Sequence, residues 1–372
     1  MNACTCCSRQ YEKESALARR MTALFAVAGL LATVLGLAAP SQADSQHKLQ
    51  VTTYNIYQGA DLTPLLTAPT LQELVRRAGV AYGQMVATDF PSRARAIARL
   101  LRREHPEVIG LQEVAVWKKG PLNGSLTTTY DFLDILLRAL RAAGLRYHAA
   151  ATDTTFSASL PISLTEKASF TDRDVILVQD GLPVTNPQSH LYAAKLVVTT
   201  PVGITFTIPR GWSAVDVSLA HNRNADRTAG GQPDTVRVAT THLEPSAPPI
   251  RNAQANELRA ALAQSPYPVT AVGDFNSLPT EAPYVTFTSG GYDDAWRVVH
   301  GPGGGLTAHQ DPDLRNVPSK LSRRIDYVFY QPKRLSAFAA EVIGNRVNER
   351  TPNGLWPSDH AGVAVSLRLK RG

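Results

Sequence analysis

The sequence predicts an α/β protein with mixed β-sheets, and two observations carry that expectation. From residue 49 onward, apolar strand-like runs alternate with amphipathic helical runs, a pattern that favours sheets flanked by helices. In the middle of the chain several strand-like runs follow one another with only short breaks, so hairpin pairing accompanies the crossovers and the sheets are not purely parallel. The 372 residues are 44% hydrophobic and 19% charged, a globular composition. No repeat or shift in composition marks a second domain beyond residue 44.

Taken in order, residues 49–57 (LQVTTYNIY) read as a strand, 92–105 (SRARAIARLLRREH) as a helix and 107–114 (EVIGLQEV) as a second strand. In the first helix Arg95, Arg99, Arg102 and Arg103 fall opposite Ala94, Ile97, Ala98 and Leu101. The basic run is therefore a solvated helix face with no binding role. Residues 130–144 form a helix closed by Gly144 at the position where a left-handed residue ends a helix. Strands follow at 174–179, 191–200, 203–209, 214–220 and 235–244, then a helix at 250–264 and a strand at 267–276. The chain ends in strands at 323–331, near 339–344, and at 360–370. The glycine-rich stretch 300–313 is a loop inside the domain, long enough to belong near a site.

Residues 1–43 stand apart. Arg19 and Arg20 precede an uncharged apolar run from Met21 to Ala43 that ends in small residues. A basic flank, an apolar centre and a small-residue terminus are the order of a secretory signal, with cleavage expected near Ala43 and Met21 as an alternative start. The expected mature protein is a single domain, residues 44–372, exported to the extracellular space and carrying no stable membrane anchor. Cleavage removes four Lys/Arg and two Asp/Glu, which takes the net charge from +7 to +5. It also removes Cys4, Cys6 and Cys7, the only cysteines. Disulfides, a thiol nucleophile and a cysteine metal site are thereby excluded from the mature chain.

Several core-like strands carry one polar residue at or near an end. Asn55 lies in TTYNIY, Glu113 ends VIGLQE, His242 ends VATTHLE, Asp274 and Asn276 end AVGDFN, Asp326 interrupts RRIDYVFY, and Asp359-His360 opens SDHAGVAV. Each alone reads as a turn residue or a partnered acid. Buried acids are costly, so several of them on strands of one domain are expected to converge and to be paired or metal-bound. In AVGDFN a strand period of two puts Asp274 and Asn276 on one face and Phe275 on the other.

The pieces TYN, LQE, THLE, GDFN, RIDY and SDH, in this order over roughly residues 49–370, resemble those of the endonuclease/exonuclease/phosphatase superfamily, which includes DNase I. The resemblance is to a secreted bacterial member. It implies a four-layer α/β/β/α sandwich of two packed mixed β-sheets and the hydrolysis of a phosphate ester assisted by Mg²⁺ or Mn²⁺. Asn55, Glu113 and Asp359 offer the oxygen ligands that a hard cation requires. Asp274 is expected to activate the attacking water, with Asn276 orienting that water or a phosphoryl oxygen. His242 and His360 would donate to the phosphoryl oxygens or the leaving oxygen, and Asp326 would fix the tautomer of His360.

The substrate is expected to be a phosphodiester, either nucleic acid or a phospholipid head group, and the protein a monomer. Arg173, with Asp174 beside it, and the pair Arg210 and Trp212 are candidate substrate contacts, the pair reading as an exposed cation and aromatic. The LQE motif continues as VAVWKKG and lacks the QETK-like signature of AP endonucleases, which argues against DNA repair. A reading of a different class is a secreted, non-catalytic binding protein on the same scaffold. The other histidines are read as structural or surface residues, with His300 and His309 unassigned.

Overall fold

The computed structural model describes residues 48–219 and 234–370. The signal segment expected at residues 1–43 lies outside the described residues, as do His47 and His221.

Sixteen strands and seven helices are described. The first part runs β1 (Lys48–Asn55), α1 (Thr63–Leu66), α2 (Leu71–Ala87), α3 (Phe90–Glu104), β2 (Val108–Gln112), β3 (Val116–Pro121), β4 (Thr127–Asp131) and α4 (Phe132–Ala142). Long strands β5 (Tyr147–Pro161) and β6 (Glu166–Gln179) form a hairpin. They are followed by β7 (Val184–Leu191), β8 (Leu196–Thr199), β9 (Thr205–Ile208), β10 (Gly211–Ser218) and β11 (Thr235–His242). The last part comprises α5 (Pro248–Leu262), β12 (Val269–Asp274), α6 (Ala282–Ser289), β13 (Asp293–Asp294), α7 (Ala295–His300), β14 (Asp326–Tyr330), β15 (Leu335–Ile343) and β16 (Gly362–Leu369).

Eight strands form one sheet, ordered β15-β16-β1-β2-β6-β3-β4 with β5 also paired to β6, and six form a second, ordered β13-β14-β12-β11-β10-β7. Each sheet is mixed, with one parallel pair at its heart: β1 with β2, and β11 with β12. Parallel neighbours need a crossover, and α2–α3 and α5 supply the two crossovers.

Alternation along each strand builds the layers. In β1, Leu49 and Val51 point to the seam between the sheets while Tyr54 packs beneath the helices. In β12, Val272 faces the seam and Ala271 the helices. Leu74, Met85, Phe90 and Ile97 of α2 and α3 cover the first sheet, and Ala255, Leu258 and Leu262 of α5 cover the second. The result is helix, sheet, sheet, helix, the four-layer sandwich anticipated from the motifs. The seam is narrow at Gly110, where a Cβ would lie 2.6 Å from both Thr240 Oγ1 and Val272 Cγ2.

Some elements differ from the sequence reading. The run 191–200 is not one strand: β7 ends at Leu191, and Tyr192, fully buried with its hydroxyl 2.7 Å from Thr241 Oγ1, carries the chain out of the sheet. β8 then pairs with β9 as a separate two-stranded ribbon. Helices α2, α6 and α7 and strands β3, β4 and β5 were not anticipated.

Candidate active site

The parity that fills the seam with valines also dictates what lies at its end. Residues 51, 53 and 55 of β1 share one face, as do 270, 272 and 274 of β12, 238, 240 and 242 of β11, and 326, 328 and 330 of β14. At the carboxyl ends of the two parallel pairs the valines give way to polar residues. Asn55 pairs in register with Gln112, and His242 with Asp274, which in turn pairs with Asp326. Five strand ends from two sheets thus meet at one place.

Asp274 is at its centre. Three donors surround Oδ2: Asn55 Nδ2 at 3.3 Å, His242 Nε2 at 3.5 Å and His360 Nε2 at 3.8 Å. Oδ1 accepts the backbone N–H of Asn276 at 2.8 Å. Burial, reinforced by Asp326, pushes the Asp274 carboxyl up to about 7 against the opposing pull of His360, Asn276 and Asn55. Phe275, on the opposite side of the strand, is fully buried against Phe287, Tyr327 and Phe329 and anchors this edge.

The two histidines have opposite electrostatics. His360 Nδ1 is 2.9 Å from Asp326 Oδ2. Burial alone would lower its pKa, but Asp326, Asp274 and Asp359 outweigh that and hold it well above the usual histidine range. His242 is held well below that range by burial, by Arg210 and by His360, and is neutral. Arg210 Nη1 lies 3.1 Å from His242 Nδ1. A guanidinium only donates, so Nδ1 accepts and the imidazole proton sits on Nε2, facing Asp274.

Glu113 and Asp359 lie on the same cleft. Glu113 has φ +60 and receives Asn55 Nδ2 at 3.1 Å and the Gln58 backbone N–H at 2.8 Å. Burial, then Asp359 and Asp172, push its carboxyl up to about 7. Ser358 Oγ donates to the Asn55 carbonyl at 2.7 Å and thereby ties the Asp359-His360 segment to the end of β1. Glu113 and Asp359 supply the hard carboxylate oxygens suited to a divalent cation, while Asn55 turns its Nδ2 toward Glu113 and Asp274 and its Oδ1 takes the Tyr57 backbone N–H at 3.0 Å. A second group, Asp274, Asp326 and His360, brings its potential ligand atoms within 4.8 Å of one another. There, His360 and Asp326 are already paired with each other, while Asp326 Oδ1 is buried without a partner.

Three expectations need correction. Asn276 does not share a strand face with Asp274: the strand ends at Asp274, and Asn276 has φ +48, its backbone closing an Asx turn and its amide donating to Leu243 O at 2.9 Å. Trp212 is not exposed beside Arg210 but buried on β10, stacked on His190 with ring centroids 4.7 Å apart. Arg173 does not reach the cleft; it is bound to Asp131 at 2.6 Å and to Val114 O at 3.0 Å, and Asp174 is wholly buried below the cleft floor.

Other residues of the site were given no role from the sequence, although Glu244 ends the THLE motif and His309 lies in the glycine-rich stretch expected near a site. Asp172 lines the cleft 3.4 Å from Arg210, and Glu244 lies 3.9 Å from the same guanidinium. His309, from the glycine-rich stretch, stands exposed at the cleft with its ring 4.8 Å from that of His360. His300 is structural, bonded to Ala340 O at 2.7 Å and packed on Trp296. With Asp153 and Asp174 below the floor, Asp172 forms a buried acid cluster.

The model of the endonuclease/exonuclease/phosphatase family matches residues 52–360. Among solved structures, an endonuclease/exonuclease/phosphatase family protein from Bacteroides thetaiotaomicron is similar at 18% identity with a TM-score of 0.52, over 87% of this chain and 98% of its own. An endonuclease/exonuclease/phosphatase from Beutenbergia cavernae is similar at 24% identity and a TM-score of 0.51, over 87% of this chain and 72% of its own. A mannosyl-6-phosphatase from Bacteroides thetaiotaomicron is similar at 17% identity and a TM-score of 0.50, over 86% and 99% of the respective chains. These likenesses concern the fold. No curated protein matches the sequence.

Proposed function

Because the chain belongs to the endonuclease/exonuclease/phosphatase family, we propose that it is a secreted, divalent-metal-dependent phosphodiesterase acting through a water activated by Asp274. The observation that carries this reading is the convergence of Asn55, His242 and His360 on one oxygen of Asp274. Such a carboxylate, with its pKa raised to about 7, is basic enough to take a proton near neutral pH and still ionised for a useful fraction of the time.

Glu113 and Asp359 would hold Mg²⁺ or Mn²⁺, with Asn55 orienting the Glu113 carboxylate through its Nδ2. A cation there supplies charge stabilisation to the phosphoryl oxygens. In the hydrolytic step the water oxygen forms a bond to phosphorus, its proton passes to Asp274, and the bond from phosphorus to the leaving oxygen breaks. His360, kept protonated by Asp326, donates to the charge that grows on the phosphoryl or leaving oxygen. His242 donates its Nε2 proton on the same side, its ring fixed by Arg210. Asn276 steadies Asp274 through its backbone N–H and holds the turn through Leu243.

Both the basic and the acidic partners of the centre are present, which supports catalysis over a binding protein with a decayed site. Bis(p-nitrophenyl) phosphate with Mg²⁺ or Mn²⁺ tests the reading. Asp274→Asn should lower turnover by about 10²–10⁴, and EDTA should abolish it. Equal turnover by wild type and variant would overturn the assignment. Export is tested by intact mass: the protein recovered from culture medium should begin near Asp44.

A further inference from the structure

The cleft that ends at Asp274 is not polar throughout. It has a volume of about 380 Å³, within the range of roughly 300–1,000 Å³ common for small-molecule sites. Catalytic side chains line one part of it, and Leu65, Phe156, Leu160, Phe170, Phe206 and Ile208 line the other. This apolar wall is assembled from separate pieces of chain: α1, the outer half of the β5–β6 hairpin, and the β8–β9 ribbon.

The ribbon is the informative piece. It belongs to neither main sheet, and a lone two-stranded ribbon is marginal in water unless one face is covered. Leu196, Val198, Phe206 and Ile208 alternate with exposed Val197, Thr199, Thr205 and Thr207 and are only half-buried. Phe206 meets Phe156 edge-on with ring centroids 6.3 Å apart. The covered face of the ribbon is thus turned toward the cleft, and its cover is incomplete.

The charge of the lining is equally specific. Arg210 is the only Lys or Arg among the described lining residues, and it is occupied by Asp172 and Glu244. A polyanion such as DNA or RNA is held chiefly by basic side chains on successive phosphates, and this cleft presents a hydrocarbon surface where those would be needed. The same two hairpins also expose apolar side chains: Leu164 at the β5–β6 turn is 93% exposed and Val197 is 59% exposed.

The geometry points to an amphiphilic substrate, a phosphodiester whose hydrocarbon chain lies along the wall formed by α1, the β5–β6 hairpin and the β8–β9 ribbon while its phosphate sits at Asp274. This deepens the phosphodiesterase reading and rests on it. The exposed Leu164 and Val197 then contact the aggregate from which the lipid is drawn.

A series of p-nitrophenyl alkyl phosphodiesters, methyl to octyl and kept below micellar concentration, tests the inference with wild-type protein and Mg²⁺. kcat/KM should rise about two- to fourfold per methylene, as expected for burial of hydrocarbon. Phe206→Asp should flatten that dependence, and Leu160→Asn serves if the first variant does not fold. Sphingomyelin and phosphatidylcholine vesicles then identify the lipid backbone, and hydrolysis of either supports the inference. A flat response to chain length, or a higher kcat/KM on DNA or RNA than on the octyl diester, overturns the lipid assignment while the phosphodiesterase reading stands. Failure to cleave any diester overturns the phosphodiesterase reading itself.

Discussion

Asp153 and Asp174, beneath the cleft floor, share a buried space with the cleft-lining Asp172, and Arg210 is the cation that acts on all three. Asp153 Oδ2, Asp172 Oδ1 and Asp174 Oδ2 are buried without hydrogen-bond partners. Burial, with Asp172 adding to it, pushes Asp153 up to about 7 from 3.8. A carboxyl whose folded pKa is raised retains a proton that the unfolded chain has lost. The stability this gives is fully present below pH 3.8 and is lost as pH rises through about 7. Asp153→Asn keeps the acceptor that Asp174 N–H uses at 3.0 Å and adds a donor where the orphan oxygen stood. Urea denaturation should find the variant more stable than wild type at pH 8.5, by between about 1 and 4 kcal/mol, with a flatter pH dependence from 4 to 8. At this scale the sequence was legible wherever strand parity set the outcome, as at Asn55, His242, Asp274 and Asp326. It was not legible at Asn276, where one left-handed residue redirects the chain, or at Trp212, whose burial depends on a neighbouring strand rather than on its own segment.

Among the elements, α3 does more than cover a sheet. Its exposed arginines, Arg95, Arg99, Arg102 and Arg103, form the solvated face that the sequence pattern implies. Arg93, one turn into the helix, is instead fully buried. Its guanidinium donates to the carbonyls of Ile56, Tyr57, Thr88 and Pro357 and packs against Phe90. It therefore joins the helix to the chain just past Asn55 and to the segment just before Asp359. Removing it leaves several buried acceptors unpaired, each costing about 1–3 kcal/mol. Arg93→Met should cost about 3 kcal/mol or more in equilibrium unfolding and reduce turnover, and Arg93→Lys should recover part of both. A basic helical run gave no hint of this, since helical period identifies the apolar stripe but not which arginine lies beneath it. Helix α2 and strand β5 escaped the sequence reading for a related reason. β5 alternates Ala, Thr and Ser, so its partners rather than its own side chains define it, whereas the buried stripe of α2 is thinned by Ala78 and Ala81 and interrupted by Gly79 and Gly83.

For the whole molecule, the cation is the most direct lever. Glu113 and Asp359 repel each other across the cleft, and a bound divalent ion would turn that repulsion into attraction. Binding to the folded state alone stabilises it by about 2.7 kcal/mol at a hundredfold excess over Kd. Mg²⁺ or Mn²⁺ should therefore raise Tm by several degrees in calorimetry, and Glu113→Gln should remove most of that increase while raising the Tm of the metal-free protein. The ordered motifs along the chain made the four-layer architecture legible. The apolar cleft wall was not, because it joins α1, one hairpin and a detached ribbon that are distant in sequence.

The hydrogen bond from Asn55 to Asp274 crosses from one sheet to the other, as does that from Gln112 Nε2 to Thr240 Oγ1 at 2.9 Å. The carboxylate of Asp274, the proposed base, and its amide partner thus sit on opposite plates of the sandwich, with close-packed valines between the plates. Their alignment records how the plates are seated. A slip of 1 Å that leaves every strand intact would part the pair, so a cavity cut among those valines should cost turnover before it costs the fold.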